Sequence, residues 1–223
     1  MSLASLFFLT KLVLTVTAPE GGASAPGRTD AVVLAATVQR YYDGAKDLHT
    51  RFEQTLTTAM GGKKRAAGEL WLKKPGRMRW EYTKPEKKLM VADGQVLWVY
   101  EPEDEQAFKQ ELKSSNLPDS VAFLLGEGKL KDQFDISLEN APPAGLAQPN
   151  EVVLRLVPKH ASSAYKSLLF VVDSKTGMVN GTVVFDQQGG ESRIRFSGTE
   201  SNHGVEDARF KFSPPNGTRI IKP

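Results

Sequence analysis

Histidines and one acidic run are the side chains whose types could do chemistry in this sequence. His49, His160 and His203 lie far apart, and none has a neighbour at a metal-ligand spacing. The acids of the run Glu101-Pro-Glu-Asp-Glu105 could form a carboxylate pair for acid–base chemistry. A proline-containing connection between two strands leaves such acids in solvent, where nothing raises a carboxyl pKa. We therefore predict surface histidines, no metal site and no catalytic residues.

Other chemistry-bearing patterns are missing from the sequence. It contains no nucleophile elbow and no phosphate-binding or dinucleotide-binding glycine motif, since Gly126-Glu-Gly128 lacks the third glycine. It contains no cysteine, which excludes disulfides, thiolate sites and a lipid anchor on an N-terminal cysteine. The missing motifs give no reason to expect a cofactor. The net charge is only +3, with the basic residues spread among acids, so we do not expect nucleic-acid binding.

An aromatic-rich stretch, Gly68–Tyr82, is the most informative segment. Its second half alternates large apolar residues with charged ones, which is typical of a strand with one wet face. Pro75-Gly76 supplies a turn, so the stretch is predicted to be a β-hairpin with Lys74 beside that turn. The apolar face of the hairpin is predicted to contain Leu70, Leu72, Met78, Trp80 and Tyr82.

Period-two patterns continue through most of the chain and predict an antiparallel meander. Asp93-Gly94 between two apolar runs is a strong hairpin signal. A sheet of about eleven strands curls strongly, so it must close into a barrel or be plugged. The predicted strands are 51–58, 67–73, 77–83, 88–92, 96–101, 106–112, 134–138, 151–158, 166–172, 178–186 and 192–197.

Two helices are available as the plug, which makes the predicted fold class α+β. The first is expected to begin at an N-cap on Thr29 or Asp30 and to run with helical periodicity to Leu48. The second is a short apolar helix within 116–126. We expect its residues Val121, Leu124 and Leu125 to face one strand surface made of Met78, Trp80, Tyr82, Leu89, Val91, Val96, Trp98 and Tyr100.

The N-terminus is predicted to be a signal peptide. Residues 1–25 contain two apolar runs, each too short to span a bilayer, followed by small residues. Residues 26–223 are then expected to form a single domain, which is an ordinary size for one core.

Four blocks of the sequence, in order, resemble the periplasmic outer-membrane lipoprotein carrier family, LolA. The two central blocks are Gly68–Tyr82 and Val91–Pro102, and the flanking blocks are Leu48–Gln54 and Phe210–Gly217. The resemblance implies an unclosed antiparallel β-barrel whose apolar concave cavity is covered by a helical lid. It also implies a periplasmic, non-enzymatic carrier, which we expect to be a monomer.

Members of this family take triacylated lipoproteins from an inner-membrane ABC transporter and pass them to an outer-membrane acceptor lipoprotein. By this resemblance Lys74 occupies the position of the lid latch, which is usually an arginine, and the charge is kept but the planar donor fork is lost. Met78 stands where an aromatic residue is common, and Trp80 matches directly. The implied lipid-binding residues are Leu70, Leu72, Met78, Trp80, Tyr82, Leu89, Val91, Trp98, Val121, Leu124 and Leu125.

Three alternative functions fit parts of the pattern, and the missing cysteine argues against the first. An acceptor lipoprotein of the same fold would need the cysteine that this sequence lacks. A periplasmic regulatory module that senses lipid or misfolded protein is the main alternative. An enzyme acting on lipid or envelope glycan is the third, and it would be recognised by activity that depends on one exposed carboxylate while lipid binding stays intact.

Overall fold

The computed structural model describes residues 26–112, 123 and 128–222. Within this part of the chain there are two α-helices of four or more residues, α1 (Pro26–Gly44) and α2 (Leu130–Gln133), and a 3-10 helix at Asp207–Phe210. The strands are β1 (Asp47–Thr57), β2 (Lys63–Lys73), β3 (Arg77–Lys84), β4 (Lys88–Asp93), β5 (Val96–Glu101), β6 (Gln106–Glu111), β7 (Phe134–Leu138), β8 (Glu151–Pro158), β9 (Ser167–Asp173), β10 (Val179–Phe185), β11 (Glu191–Ser201) and β12 (Arg219–Ile221).

All twelve described strands belong to one sheet, in the order β12-β6-β5-β4-β3-β2-β1-β11-β10-β9-β8-β7. Two antiparallel meanders, β1 to β6 and β7 to β11, are joined where β1 pairs with β11. The edges at β12 and β7 do not pair with each other in the described residues, so the sheet is unclosed as predicted. The eleven expected strands are all present, and β12 was missed.

The hairpins form where the turn residues predicted them. Gly94 has φ +100°, and the Asp93 carboxylate oxygen Oδ1 accepts from the backbone N–H groups of Gln95 and Val96, both at 2.8 Å. Gly76, between β2 and β3, has φ +63°. Both positions need a backbone conformation that glycine adopts without a steric penalty.

Helix α1 exists as predicted, but both predicted ends are wrong. Thr29 and Asp30 lie inside the helix, which begins at Pro26, a residue whose fixed φ suits a first helical turn. Leu48 lies in β1 rather than in the helix. The helix buries one stripe against the sheet, and the side of the sheet that it covers is called the inner face here. The stripe consists of Ala31, Leu34, Ala35, Val38 and Tyr42.

Candidate functional site: the inner face and its helical cover

The inner face is apolar where β2, β3, β4 and β5 cross it. Leu70 pairs with Trp80, and Leu72 pairs with Met78, so the predicted apolar face of the hairpin is a single surface. Leu70, Leu72 and Met78 are buried in the same core as α1, whereas Trp80 and Tyr82 are half-buried at its margin.

Five residues that were predicted to face the lid are wrongly placed, since all of them lie on the outer face: Leu89, Val91, Val96, Trp98 and Tyr100. The register pairs Trp80 with Met90, so the residues beside Met90 in β4 point the other way. Val91 pairs with Trp98, which places both on the outer side. The sequence could not show this, because LMVA and VLWVY are apolar at every position. No alternation of apolar and polar residues tells which positions face inward.

The residues that take their places on the inner face are Met90, Ala92, Leu97 and Val99, which sequence reasoning missed. On the outer face, the ring of Phe212 contacts Trp98 at 5.8 Å and Tyr100 at 5.4 Å between centroids. The Asp93-Gly94 turn fixes which residues of β4 and β5 pair. Only the pairing of β4 with β3 decides which set faces inward.

The predicted lid residues Val121, Leu124 and Leu125 lie outside the described residues. From that segment the structure describes Phe123, which is buried. The ring of Phe123 contacts Tyr42 of α1 at 5.3 Å and Phe170 of β9 at 6.4 Å between centroids. Phe123 therefore lies over the inner face, next to α1.

An aromatic cluster forms the margin of the inner face. Trp80 and Tyr82 stack at 6.2 Å with 9° between their planes, and Phe52 meets them edge-on at 5.2 and 5.0 Å. Phe52 reaches β3 by passing over Gly68, where a Cβ atom would lie 2.9 Å from the Phe52 ring and 1.9 Å from the Glu81 carbonyl oxygen. Only glycine permits this cluster.

The polar atoms of the cluster differ in how they are satisfied. The Tyr82 hydroxyl donates to Oε1 of Gln54 at 3.0 Å, and burial raises the pKa of Tyr82 to about 12. The indole Nε1 of Trp80 is buried and has no hydrogen-bond acceptor within the described chain. An unpaired buried N–H is unfavourable, and it marks a place where a ligand atom could bind.

Polar contacts of α1 concentrate in its last turns. The Lys74 ammonium donates to the backbone carbonyl oxygen of Tyr42, and the backbone N–H of Val179 donates to the Tyr42 hydroxyl at 3.3 Å. Burial lowers the pKa of Lys74, and the nearby Asp43 carboxylate opposes that shift. Burial also raises the pKa of Tyr42. Lys74 thus makes the contact expected of a latch, and its role in opening stays a prediction.

A concavity of about 580 Å³ lies where α1 meets α2 and β7, whereas the space between the last turns of α1 and strands β1 and β2 is filled. Two voids of about 10 Å³ each lie there, lined by Tyr42, Leu48 and Leu72 among others. This volume is on the order of one water-sized probe sphere. An acyl chain can therefore lie against this part of the inner face only after α1 has moved away.

The outer face carries a second concavity of about 510 Å³ beside β1, β2 and β3. Its side chains are largely paired with one another. The His49 ring stacks on Trp71 at 4.8 Å and its Nε2 lies 2.8 Å from Glu69, while the Arg209 guanidinium lies over the Trp71 ring, 4.7 Å from its centroid. No group of potential metal ligands occurs among the residues that the structure describes.

Among those residues there is also no helix of sufficient length and apolarity to cross a membrane. The arrangement is thus a wide apolar surface, a helix that covers it, and a small number of hydrogen bonds that hold the helix down. Such a surface can bind and release an apolar ligand.

Comparison with known proteins agrees with this geometry. The family model described as outer membrane lipoprotein carrier protein LolA matches residues 43–213. A Chromobacterium violaceum protein named outer-membrane lipoprotein carrier protein is 30% identical over 94% of this chain and 96% of its own length. A Xanthomonas campestris pv. campestris protein of the same name is 33% identical over 80% and 83%. The solved structure of an uncharacterized conserved protein from Thermus thermophilus has the same fold, with a TM-score of 0.55 at 12% identity over 86% and 98%.

Proposed function

We propose that this chain, which belongs to the outer membrane lipoprotein carrier protein LolA family, binds the acyl chains of lipoproteins on its inner face and carries them through the periplasm. The observation that carries the proposal is the apolar inner face covered by α1. Half-exposed side chains at the margin of this face, Trp80, Tyr82, Met90 and Val99, would receive the chains first.

Magnitudes support an exchange between α1 and lipid. Roughly ten buried methylenes of one acyl chain contribute about 8 kcal/mol before the costs of binding. Burial of three α1 side chains, Leu34, Val38 and Tyr42, contributes about 5 to 9 kcal/mol by the same accounting. Reclosure of α1 thus offsets about as much free energy as one acyl chain gains by burial, which favours release of the cargo.

The remaining parts of the proposal rest on the family. Residues 1–25 would direct export and 26–223 would act as one monomeric domain in the periplasm. An inner-membrane ABC transporter would supply triacylated lipoproteins, and an outer-membrane acceptor lipoprotein would receive them. The carrier itself makes and breaks no covalent bond. Lys74 would act as the latch that favours closure after release, which its contact with the Tyr42 carbonyl supports.

The test uses the mature protein and a triacylated lipoprotein. The two are mixed in detergent, the detergent is removed, and native mass spectrometry is recorded. We expect a soluble one-to-one complex. Aggregated lipoprotein beside free protein would refute the carrier proposal.

Strand β5 offers a matched pair of variants for this experiment. Val99 lies on the inner face and Val96 on the outer face, and both are half-buried. Val99→Glu places a charge where the acyl chains would lie, so it should reduce complex formation at least tenfold. Val96→Glu should bind as the wild type does, and equal losses in both variants would count against the inner face as the binding surface.

A further inference from the structure

The inner face carries one polar feature that apolar contact does not explain. Nε1 of Trp80 is buried without an acceptor, and in the described chain only one other buried side-chain atom, Oε1 of Gln133, shares this condition. The polar side chain that contacts the cluster, Gln54, is already engaged. The Gln54 oxygen accepts from Tyr82, and the Gln54 amide donates to Ser192 at 2.9 Å.

The aromatic cluster holds the indole in place. Tyr82 stacks on one side of Trp80, and the edge-on Phe52 packs against both rings. The donor therefore cannot turn to solvent without breaking these ring contacts. A buried N–H without an acceptor destabilises the empty protein, and a bound ligand that supplies an acceptor removes this cost.

We propose that the Trp80 indole N–H donates a hydrogen bond to an ester carbonyl oxygen of a bound, acylated lipoprotein. This inference rests on the proposed function. An ester suits a lone donor because it has only acceptor atoms. An amide carbonyl would bring its own N–H, which would need a second partner in an apolar environment. The contact would fix the position of the glyceryl group on the inner face. Contacts between methylenes and an apolar surface do not fix it, because an acyl chain can slide along that surface.

The test compares two synthetic lipopeptides that differ only in the glyceryl linkages, one with esters and one with ethers. Affinities come from competition against a fluorescent lipopeptide. We expect the wild-type protein to prefer the ester by about fivefold to tenfold, which corresponds to one hydrogen bond. In Trp80→Phe, which keeps an aromatic ring but removes the N–H, the ester-to-ether ratio should fall to about one.

Trp98→Phe is the matched control, since Trp98 lies on the outer face. It should keep the wild-type ratio. Because each ratio compares two lipids on one protein, lost ring packing in Trp80→Phe affects both affinities and cancels. A second measurement uses the wild-type protein alone. The chain has three tryptophans, so the Trp80 indole proton can be followed by NMR and should move downfield with the ester lipopeptide alone.

The outcomes separate this inference from the proposed function. Equal binding of ester and ether by the wild-type protein would overturn the role of Trp80 and leave the carrier proposal standing. The same holds for a ratio that Trp80→Phe does not change. Binding of neither lipopeptide would refute the carrier proposal, and the inference with it.

Discussion

Replacement of Lys74 by leucine tests the latch most directly. The ammonium of Lys74 donates to the Tyr42 carbonyl oxygen at the end of α1, and leucine keeps part of the apolar stem without the donor. A hydrogen bond from a charged donor contributes about 1.5 to 3 kcal/mol. Because burial lowers the pKa of Lys74, desolvation offsets part of this gain, and we adopt the lower end, about 1.5 kcal/mol.

That free energy corresponds to about a tenfold shift from the closed form toward the open form. Lys74→Leu should therefore accept lipoprotein normally but transfer it to the acceptor about tenfold more slowly, because closure no longer helps to expel the acyl chains. In the empty protein, backbone amides of α1 should exchange hydrogen faster by a similar factor if they exchange through lid opening. Transfer is measured by the lipoprotein released from the carrier as acceptor is added.

Lys73→Leu is the adjacent control. Lys73 points to the opposite side of β2, where its ammonium lies 2.6 Å from the Asp207 carboxylate. This variant should transfer lipoprotein at the wild-type rate. Lys74→Arg keeps the charge and adds donors, so it should restore transfer. Wild-type transfer and unchanged exchange of α1 in Lys74→Leu would show that the contact with Tyr42 is not a latch.

Three further predictions concern the sheet. Gly68→Ala should lower the free energy of unfolding by about 3 kcal/mol or more because its Cβ would overlap the β3 backbone, whereas Gly44→Ala, with open space, should be neutral or stabilising; equal denaturation midpoints would contradict the contact. Because burial raises the pKa of Tyr82 to about 12, the free energy of unfolding should fall by about 2 to 3 kcal/mol between pH 10 and 12, where only the phenol of the unfolded chain ionises. Tyr82→Phe should remove this part of the alkaline loss in urea titrations. Glu151→Gln, which breaks the paired hydrogen bonds from Arg195, should destabilise by about 2 kcal/mol at pH 7 and by less at acidic pH; an undiminished effect at low pH would be inconsistent with the ion pair.

The acid dependence of Glu151 follows from two opposed effects. Burial favours its neutral form, but the hydrogen bonds from Arg195 and its other partners together outweigh this and lower its pKa. The folded state therefore binds the proton less readily than the unfolded state does. This stabilisation is present above the usual glutamate range and is lost as the pH falls through the lowered pKa.

Sequence patterns predicted an element wherever one face of it is wet. In β3, Met78 and Trp80 alternate with Arg77 and Arg79, and the phase of the strand was correct. The phase failed in β4, where the central positions are all apolar, because a second apolar layer around Phe212 covers the outer face. When both faces of a strand are buried, the residue types do not show which face points inward. Only the register with the neighbouring strand shows it.

Two other errors have local causes. Strand β12 is three residues long and pairs parallel with β6, so it is too short to show alternation. Thr29 and Asp30 are both good N-caps and predict a start there, yet the helix begins at Pro26. Proline is itself favoured in the first turn of a helix, and this preference competes with that of an N-cap.

The contacts that close the lid differ in whether lipid can replace them. Methylenes of an acyl chain can pack against Leu72 as the α1 side chains do, so apolar contacts are exchanged when cargo enters. Lipid has no donor for the Tyr42 carbonyl and no acceptor fixed for the Val179 N–H, so those two hydrogen bonds are lost on opening. They favour the closed form by the same amount whatever the length of the acyl chain. The opposing free energy grows with chain length, so the hydrogen bonds at the end of α1 limit how long an acyl chain the protein can still release.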